Sequence, residues 1–591
     1  MAARIMGPVT QQSSADAGRD PKWWTLTAVC TGVFMLLLDI TIVNVALPDI
    51  QRELSASLSD LQWVIDAYAL SLASLLLTAG SLADLYGRKR VFAIGTVLFT
   101  VGSVACGLAN DILVLTVSRA FQGIGGAAMF ATALALLASA FSGRDRGVAF
   151  GAFGATTGVA VAIGPVLGGV LTSGLSWRWI FFVNIPICVI ALSVTVLKVR
   201  ESHDPRAGRP DWAGFVTFSL ALGLLVYGLI RAGSDGWGDR GVAICLVASA
   251  ALLAVFVVVQ LRSSHPMFDL TLLRKPTFVG GLIAAFGISA SIFSLLTYLV
   301  IYVQNVLGYS AVETGLRFLF LSAASFLTAV VAGRLTEKVP TKWLIAPGFL
   351  VTGLGLLLLL GVDRSAEPEQ WRHLIAGLTV AGFGIGMVNP PLASTAVGVV
   401  DVRRSGMASG VNSTFRQVGI ATGIAALGSI FAHQVGREVT DRLAGTPAAA
   451  QADQIAAAIT GGQVQAVVEQ APPEARAQIS EAATTAFVDS LNHIILIAAV
   501  IALVSAVFTL VLIRQKDFVV RGGPPAGSDG QPAAAEQTEQ HEQHEDAAPR
   551  HRDPDAHEPS LRGGAHAAGQ HADRAQDDQP EQREQGQGSS V

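Results

Sequence analysis

Asp39 is a carboxylate set into an apolar run, Leu38-Asp39-Ile40-Thr41-Ile42-Val43-Asn44-Val45-Ala46-Leu47-Pro48, that begins upstream at Trp23-Trp24. At about 1.5 Å of rise per residue it lies about 22 Å past the tryptophans, inside a hydrocarbon layer about 30 Å thick. An acid at that depth is costly unless it is protonated, paired or wet, so its natural chemistry is taking up and releasing a proton. The plainer alternative is an acid paired with a neighbouring helix for structure alone. A second charged residue sits in a similar setting. Arg119 lies in Leu115-Thr116-Val117-Ser118-Arg119-Ala120-Phe121-Gln122-Gly123, about 12 Å in from one end of its run by helical rise. A guanidinium stays charged at any ordinary pH, so beside a carboxylate it would help drive off that acid's proton. Its structural alternative is to snorkel or to bond backbone carbonyls. Asp66, one turn into the next run near Trp63, is a second protonation candidate or a wet interfacial acid, and the sequence does not choose between these. Glu313, at a run's end, is expected to be solvated.

The elements that position these residues are apolar helices. The chain has 591 residues, 51% hydrophobic and 14% charged, with a mean hydropathy of +0.51, which is the composition of a polytopic membrane protein. Runs of spanning length cover 25–47, 62–83, 91–109, 112–134, 147–172, 177–198, 212–231, 241–262, 277–303, 310–332, 343–362, 373–393, 406–431 and 486–513, which makes fourteen. Residues 1–20 carry no apolar h-region and lead into a first run too long for a cleavable signal, so that run is expected to stay as a helix. Lys and Arg alternate between connections, with Arg88-Lys89-Arg90, Arg144, Arg146, Lys275, Lys338 and Arg403-Arg404 all on one side. By the positive-inside rule that side is cytoplasmic, and both termini share it. Cys30, Cys106, Cys188 and Cys245 fall within apolar runs and suggest neither a disulfide framework nor a zinc site.

The net charge is −4, and residues 514–591 hold 15 acids against 8 bases. No basic patch for nucleic acid is present. That tail is rich in Gln, Glu, Asp, Ala and Pro, so it cannot bury enough apolar surface to fold, and disorder is expected. Its six histidines read as low-complexity solvation before weak metal binding. Between spans thirteen and fourteen, residues 434–485 place Ile455, Ile459, Val464 and Val467 periodically before Pro472-Pro473, the pattern of a short amphipathic helical hairpin.

Several strings carry a family resemblance. Gly80-Ser81-Leu82-Ala83-Asp84-Leu85-Tyr86-Gly87-Arg88-Lys89-Arg90 resembles the signature loop of the major facilitator superfamily. Its glycines permit a tight turn, and Asp84 at the helix end can pair with bases and be released when the two halves rock. A weaker echo, Gly333-Arg334-Leu335-Thr336-Glu337-Lys338, follows span ten, as related halves would imply. The Arg119 string resembles the family's second motif, whose arginine assists proton movement. Gly154, Gly158, Gly164-Pro165 and Gly168-Gly169 in span five place small residues at close-packing spacing around a proline. The string GPxxGG is similar to the motif that marks antiporters. With LDxTIVNVALP, Gln62-Trp63 to Tyr68 and Trp177-Arg178-Trp179-Ile180-Phe181-Phe182-Val183-Asn184-Ile185-Pro186, the chain is similar to the fourteen-span drug:proton antiporters of the QacA/EmrB type over about residues 25–515.

That resemblance implies an all-α fold of two six-helix bundles, at 25–200 and 277–513, enclosing a central cavity. Two extra helices would lie between the bundles, at 201–276, with a short N-terminal segment at 1–24 and the tail at 514–591. It implies a monomer in the cell membrane that needs no cofactor and exchanges protons for lipophilic small molecules such as antibiotics or dyes. Cavity candidates are Asn44, Gln122, Asn412, Arg416 and Gln417. Spans ten and thirteen carry no acids at depth, and a buried positive charge at Arg416 disfavours dications, which points to monocationic, zwitterionic or neutral lipophilic compounds, with an anionic natural product held by Arg416 as the outlying alternative. No GxxxxGK(S/T) loop exists, which argues against ATP hydrolysis. Each charge crossing the membrane yields about 2.3 kcal/mol per 100 mV, enough to drive export. The alternatives are a dedicated exporter of one metabolite or self-resistance antibiotic, an uptake symporter, and a membrane enzyme or non-transporting sensor. No metal-ligand cluster, nucleophile elbow or catalytic acid pair supports an enzyme.

Overall fold

The computed structural model describes residues 21–56, 58–203, 209–336, 338–362, 368–460, 468, 473 and 475–519. Expectations for the first twenty residues, for Val464 and Val467, and for the tail with its histidines lie outside the described residues. All regular structure among the described residues is helical. In lipid each backbone N–H and C=O must be satisfied within the chain, and an apolar run does so by coiling.

Fourteen long helices stand among the described residues: α1 Pro21–Leu54, α2 Leu58–Tyr86, α3 Arg88–Gly107, α4 Ile112–Ala140, α5 Arg144–Gly174, α6 Trp179–Lys198, α7 Trp212–Asp235, α8 Arg240–Arg262, α9 Pro276–Val306, α10 Ala311–Leu335, α11 Lys342–Leu358, α12 Trp371–Gly398, α13 Ser405–Leu443 and α14 Arg476–Leu512. Twelve have the length and apolarity to cross a membrane, and α5, of 31 residues, and α11, of 17, complete the set. Polar side chains start several of them. Asp111, Asp211 and Asp239 accept from the backbone N–H of Val114, Gly214 and Val242 at 2.8, 2.9 and 3.0 Å, and Ser310 with Glu313 forms a capping box on α10.

Helices α1–α6 pack as one bundle, with α4 between α2 and α3 and α1 against α5 and α6. Helices α9–α14 form the second, where α12 packs on α10 and α11 and α13 runs beside α9 and α14. The extra pair, α7 and α8, pack on each other, and α7 touches α2 of one bundle and α13 of the other. The bundles meet along α5 and α10 and where α2 crosses α13.

Three helices run past the ends read from hydropathy. Helix α1 passes through Pro48 to Leu54. A proline forfeits one backbone hydrogen bond, and at the end of a helix about 50 Å long that loss falls where water is available. Helix α13 extends beyond residue 431 to Leu443, because Val435, Val439 and Leu443 continue the i, i+4 stripe and stay buried. Helix α14 begins at Arg476, and its Ile479 and Ala482 join a cluster with Ile455 and Ile459 of the short helix Ala452–Thr460. Residues 434–443 and 476–485 of the segment between spans thirteen and fourteen thus continue those two helices, and the short helix packs against both.

The connection after α8 lies across the α2–α13 crossing. The Ser81 hydroxyl donates to the Met267 carbonyl at 3.2 Å, Arg404 Nη1 donates to Asp269 Oδ2 at 2.9 Å, and Lys275 Nζ donates to the Val399 carbonyl at 3.0 Å. Asp211, at the start of α7, accepts from Gln260 Nε2 at 2.7 Å and from the Met267 N–H at 3.3 Å. Met267, Phe268 and Leu272 pack with Leu77 of α2 and Met407 and Val411 of α13.

Candidate functional site

Asp39 has no exposed surface and Arg119 is 1% exposed. They meet across α1 and α4: Arg119 Nη1 donates to Asp39 Oδ2 at 2.6 Å. The other carboxylate oxygen accepts from Gln122 Nε2 at 3.0 Å and from Asn184 Nδ2 at 2.9 Å. Among the described residues three side-chain donors face the carboxyl oxygens. Arg119 also donates to Gln122 Oε1 at 2.7 Å and, through Nε, to the Val64 carbonyl at 3.2 Å, while its guanidinium carbon lies 4.3 Å from the centre of the Tyr68 ring. The Ser103 hydroxyl receives Gln122 Nε2 at 2.7 Å and Asn184 Nδ2 at 3.3 Å. Five helices thus contribute to one closed polar network. An isolated buried ion costs several kcal/mol, and here the pair and its amides share that cost.

The turn preceding Asn184 is fixed from outside. Trp177 Nε1 donates to Glu53 Oε2 at 2.7 Å, Arg178 pairs with the same carboxylate, and Arg178 Nη2 reaches the Ala109 carbonyl at 3.1 Å. The Arg178 hydrogen bond holds the Glu53 carboxyl below the usual glutamate range.

At the opposite end of the bundles the signature loop ties the two halves together. Asp84 accepts Arg88 Nε and Nη2 at 2.9 and 2.7 Å, and also the backbone N–H of Gly406 and Met407 at 2.9 and 2.8 Å. It therefore caps the start of α13, where the helix dipole favours negative charge. Arg88 Nη2 donates on to the carbonyls of Val402 and Arg403 at 2.7 and 2.8 Å. The crossing is this close because it is built from glycines: a Cβ on Gly80 would lie 2.2 Å from the Gly406 carbonyl oxygen. Gly87 has φ +113°, a conformation side chains rarely adopt, and it turns the chain so that Glu201 receives the N–H groups of Lys89 and Arg90 at 3.0 and 3.2 Å. Lys89 Nζ reaches the Val196 carbonyl at 2.8 Å. Below this crossing, Arg403 beside Asp401 lowers that acid to about 2.

Helix α5 carries its glycines into three contacts. A Cβ on Gly154 would meet Pro390 of α12, one on Gly158 would approach Ser322 and Ser325 of α10, and those on Gly164 and Gly168 would strike Thr41 and Ile42 of α1. Gly169 faces Val312 of α10. The backbone of α5 is helical through Pro165. The echo string behaves alike: a Cβ on Gly333 would lie 2.5 Å from Gly147 and Gly151 of α5.

The remaining candidates are dispersed. Asp66 is half-buried and outside the Asp39 network, and Gln122 belongs to that network. The side chain of Asn44 lies outside the described residues. Asn412 is buried, Arg416 donates to Asn389 Oδ1 of α12, and Gln417 is half-buried beside it. A cleft of about 700 Å³ opens between α2, α4 and α7, lined by Ser71, Ser74, Phe121, Ile124, Ser219 and Tyr227. Asp39 does not line it. Sequence reasoning left out Asn184, Ser103, Glu201 and Asn389. Asn184 was the most findable, since a carboxamide inside an apolar run before Pro186 stands out on the same grounds as Asp39.

Two helical bundles around buried charges, joined by two further helices and latched by glycine crossings, define a secondary transporter. The sequence profile of the Major Facilitator Superfamily matches residues 29–424, and the chain belongs to that superfamily. It is 39% identical over 409 residues to the multidrug resistance protein Stp of Mycobacterium tuberculosis, covering 69% of this chain and 75% of that protein. It is 34% identical to the puromycin resistance protein pur8 of Streptomyces alboniger, with 75% and 88% covered. The tetracenomycin C resistance and export protein of Streptomyces glaucescens is 31% identical, with 83% and 92% covered. Among solved structures, the human organic anion transporter MFSD10 (TETRAN) superimposes with a TM-score of 0.53 at 13% identity, over 82% of this chain and 100% of that one, a likeness of fold alone.

Proposed function

We propose that this chain is a drug efflux transporter in which proton uptake at Asp39 drives the outward movement of lipophilic small molecules. The observation that carries the proton coupling is the sealed Asp39–Arg119 pair with its two carboxamide donors, a carboxylate at membrane depth whose only exits are proton binding or rearrangement. Efflux itself is supported by relatives named for multidrug resistance, antibiotic resistance and drug export. The protein is a multi-pass transporter and not an enzyme.

The end that bears Arg88 is taken as cytoplasmic, since Lys and Arg gather there, and both termini lie on that side. In the state described, the Asp84 latch closes that end. A proton reaching Asp39 from outside neutralises the carboxylate and frees Arg119 from its ion pair. The network then loosens between α1, α4 and α6, the bundles rock about α5 and α10, and the Asp84 contacts part. The carboxyl returns its proton to the cytoplasm, and the cavity accepts a compound from the cytoplasm or inner leaflet. One chain supplies both bundles, so the monomer is the working unit.

Proteoliposomes with an internal pH dye and an imposed proton gradient test this. Substrate-dependent proton flux in wild type that disappears in Asp39→Asn is the expected result. Undiminished, proton-linked efflux by Asp39→Asn would overturn it.

A further inference from the structure

The second bundle holds a membrane-embedded cation that the proton site does not use. Arg416 of α13 donates to Oδ1 of Asn389 on α12. Both residues stand close to where the bundles meet. Pro390, next to Asn389, lies against Gly154 of α5, and Gly410, on the same helix as Arg416, abuts Leu76 and Leu77 of α2. By helical rise Arg416 is about 9 Å along α13 from that crossing. Its guanidinium keeps its charge at any pH the protein meets, and a charge at membrane depth demands a partner. Arg119 has Asp39. Among the described residues no carboxylate pairs with Arg416, and one amide oxygen answers five N–H donors. Unlike Arg119 the side chain is only half-buried. Fork-shaped donors and an unmatched positive charge are complementary to an oxyanion.

We infer that Arg416, held by Asn389, anchors the carboxylate or phenolate of the exported compound, so that lipophilic organic anions are the preferred cargo. The inference rests on the efflux reading above and narrows it. It has an energetic corollary: one monoanion leaving per proton entering moves two charges in the direction an inside-negative potential favours, whereas a monocation moves none. Each charge scales the equilibrium by about 50-fold at 100 mV.

The test compares wild type, Arg416→Gln, Arg416→Lys and Asn389→Ala in proteoliposomes with fluorescein as lipophilic anion and ethidium as lipophilic monocation, under a fixed pH gradient with and without a potassium diffusion potential. In wild type, fluorescein should move faster than ethidium, and only its rate should rise with potential. Arg416→Gln should lower the fluorescein-to-ethidium rate ratio by roughly 10- to 100-fold, the loss expected for a charge-assisted hydrogen bond. Arg416→Lys should fall between, keeping the charge without the fork, and Asn389→Ala should lower the ratio less than the Gln variant does. If wild type carries ethidium and rejects fluorescein, or if all variants keep the wild-type ratio, the anion site is overturned while proton-coupled efflux stands. If Arg416→Gln does not fold, an unchanged ratio in Arg416→Lys and Asn389→Ala overturns it equally. Absence of any substrate-linked proton flux across a wider compound panel would overturn the efflux reading and this inference together.

Discussion

Replacing Asp84 by asparagine isolates the latch, because shape is kept while charge and one acceptor are lost. The carboxylate takes two backbone N–H groups of α13 and two guanidinium N–H groups of Arg88, so an amide can satisfy at most one oxygen's share of them. Losing one charge-assisted bond between the bundles costs about 1.5–3 kcal/mol, and losing the negative charge at a helix start costs about 0.3–1 kcal/mol more. Relaxation of Arg88 towards the Val402 and Arg403 carbonyls offsets part of this, leaving about 2–3 kcal/mol against the closed state. At about 1.4 kcal/mol per decade that is a shift of roughly 30- to 150-fold, enough to bring a 99:1 equilibrium near parity. Spin labels at Arg90 and Lys338, exposed positions on the two bundles, would report it in a background lacking the four cysteines. Wild type should give one short distance, and Asp84→Asn a second, longer one of comparable weight. A folded Asp84→Asn protein with the wild-type distribution would refute the latch.

Three further outcomes are expected. Asn184→Ala removes one of the three donors to Asp39 and should cost about 1–3 kcal/mol in thermal stability; the loss should be smaller in an Asp39→Asn background, and equal losses in both would show that the two do not interact. Gly406→Ala would put a Cβ 2.4 Å from the Gly80 carbonyl oxygen and 2.5 Å from Asp84 Oδ1, so about 1–3 kcal/mol of overpacking should open the Arg88 end in the spin-label assay; an unchanged distance would mean that the backbones separate freely. Glu53 has a folded-state pKa held low by Arg178, so its contribution to stability is complete above the unfolded value of about 4.3 and is lost as pH falls through the lower folded value. Melting temperatures of wild type and Glu53→Gln should therefore differ at pH 7 and converge in strong acid, and a gap independent of pH would count against the ion pair.

Charges at depth were legible in the sequence because hydrocarbon makes them conspicuous. Asp39 and Arg119 stand out in apolar runs with no structural data. Their pairing did not, since they are 80 residues apart and no period links α1 to α4. Ser103 is of a type common in membrane helices and gave no signal until its partners were in view, whereas Asn389, a carboxamide before Pro390 in an apolar run, stood out as Asn184 did. Glycine spacing announced close contacts along α5 but could not say that Gly164 meets Thr41 while Gly154 meets Pro390. Helix ends were read short where hydropathy fell before the helix did, as in α13, whose buried Val435, Val439 and Leu443 stripe continues beyond the apolar run. Asp84 was expected to pair with bases. The structure adds that its partners across the bundles are the bare N–H groups of Gly406 and Met407, which no side-chain pattern encodes.

The connection between α8 and α9 makes the inserted helix pair more than a spacer. Through Ser81 it grips one moving body, through Arg404 and Val399 the other, and through Asp211 the inserted pair itself. A strap fastened to both leaves of a hinge limits its travel, and one or more fastenings must slip each time the hinge opens. In the rocking cycle proposed above, a change of a few hydrogen bonds in that loop would retime turnover without altering what is carried.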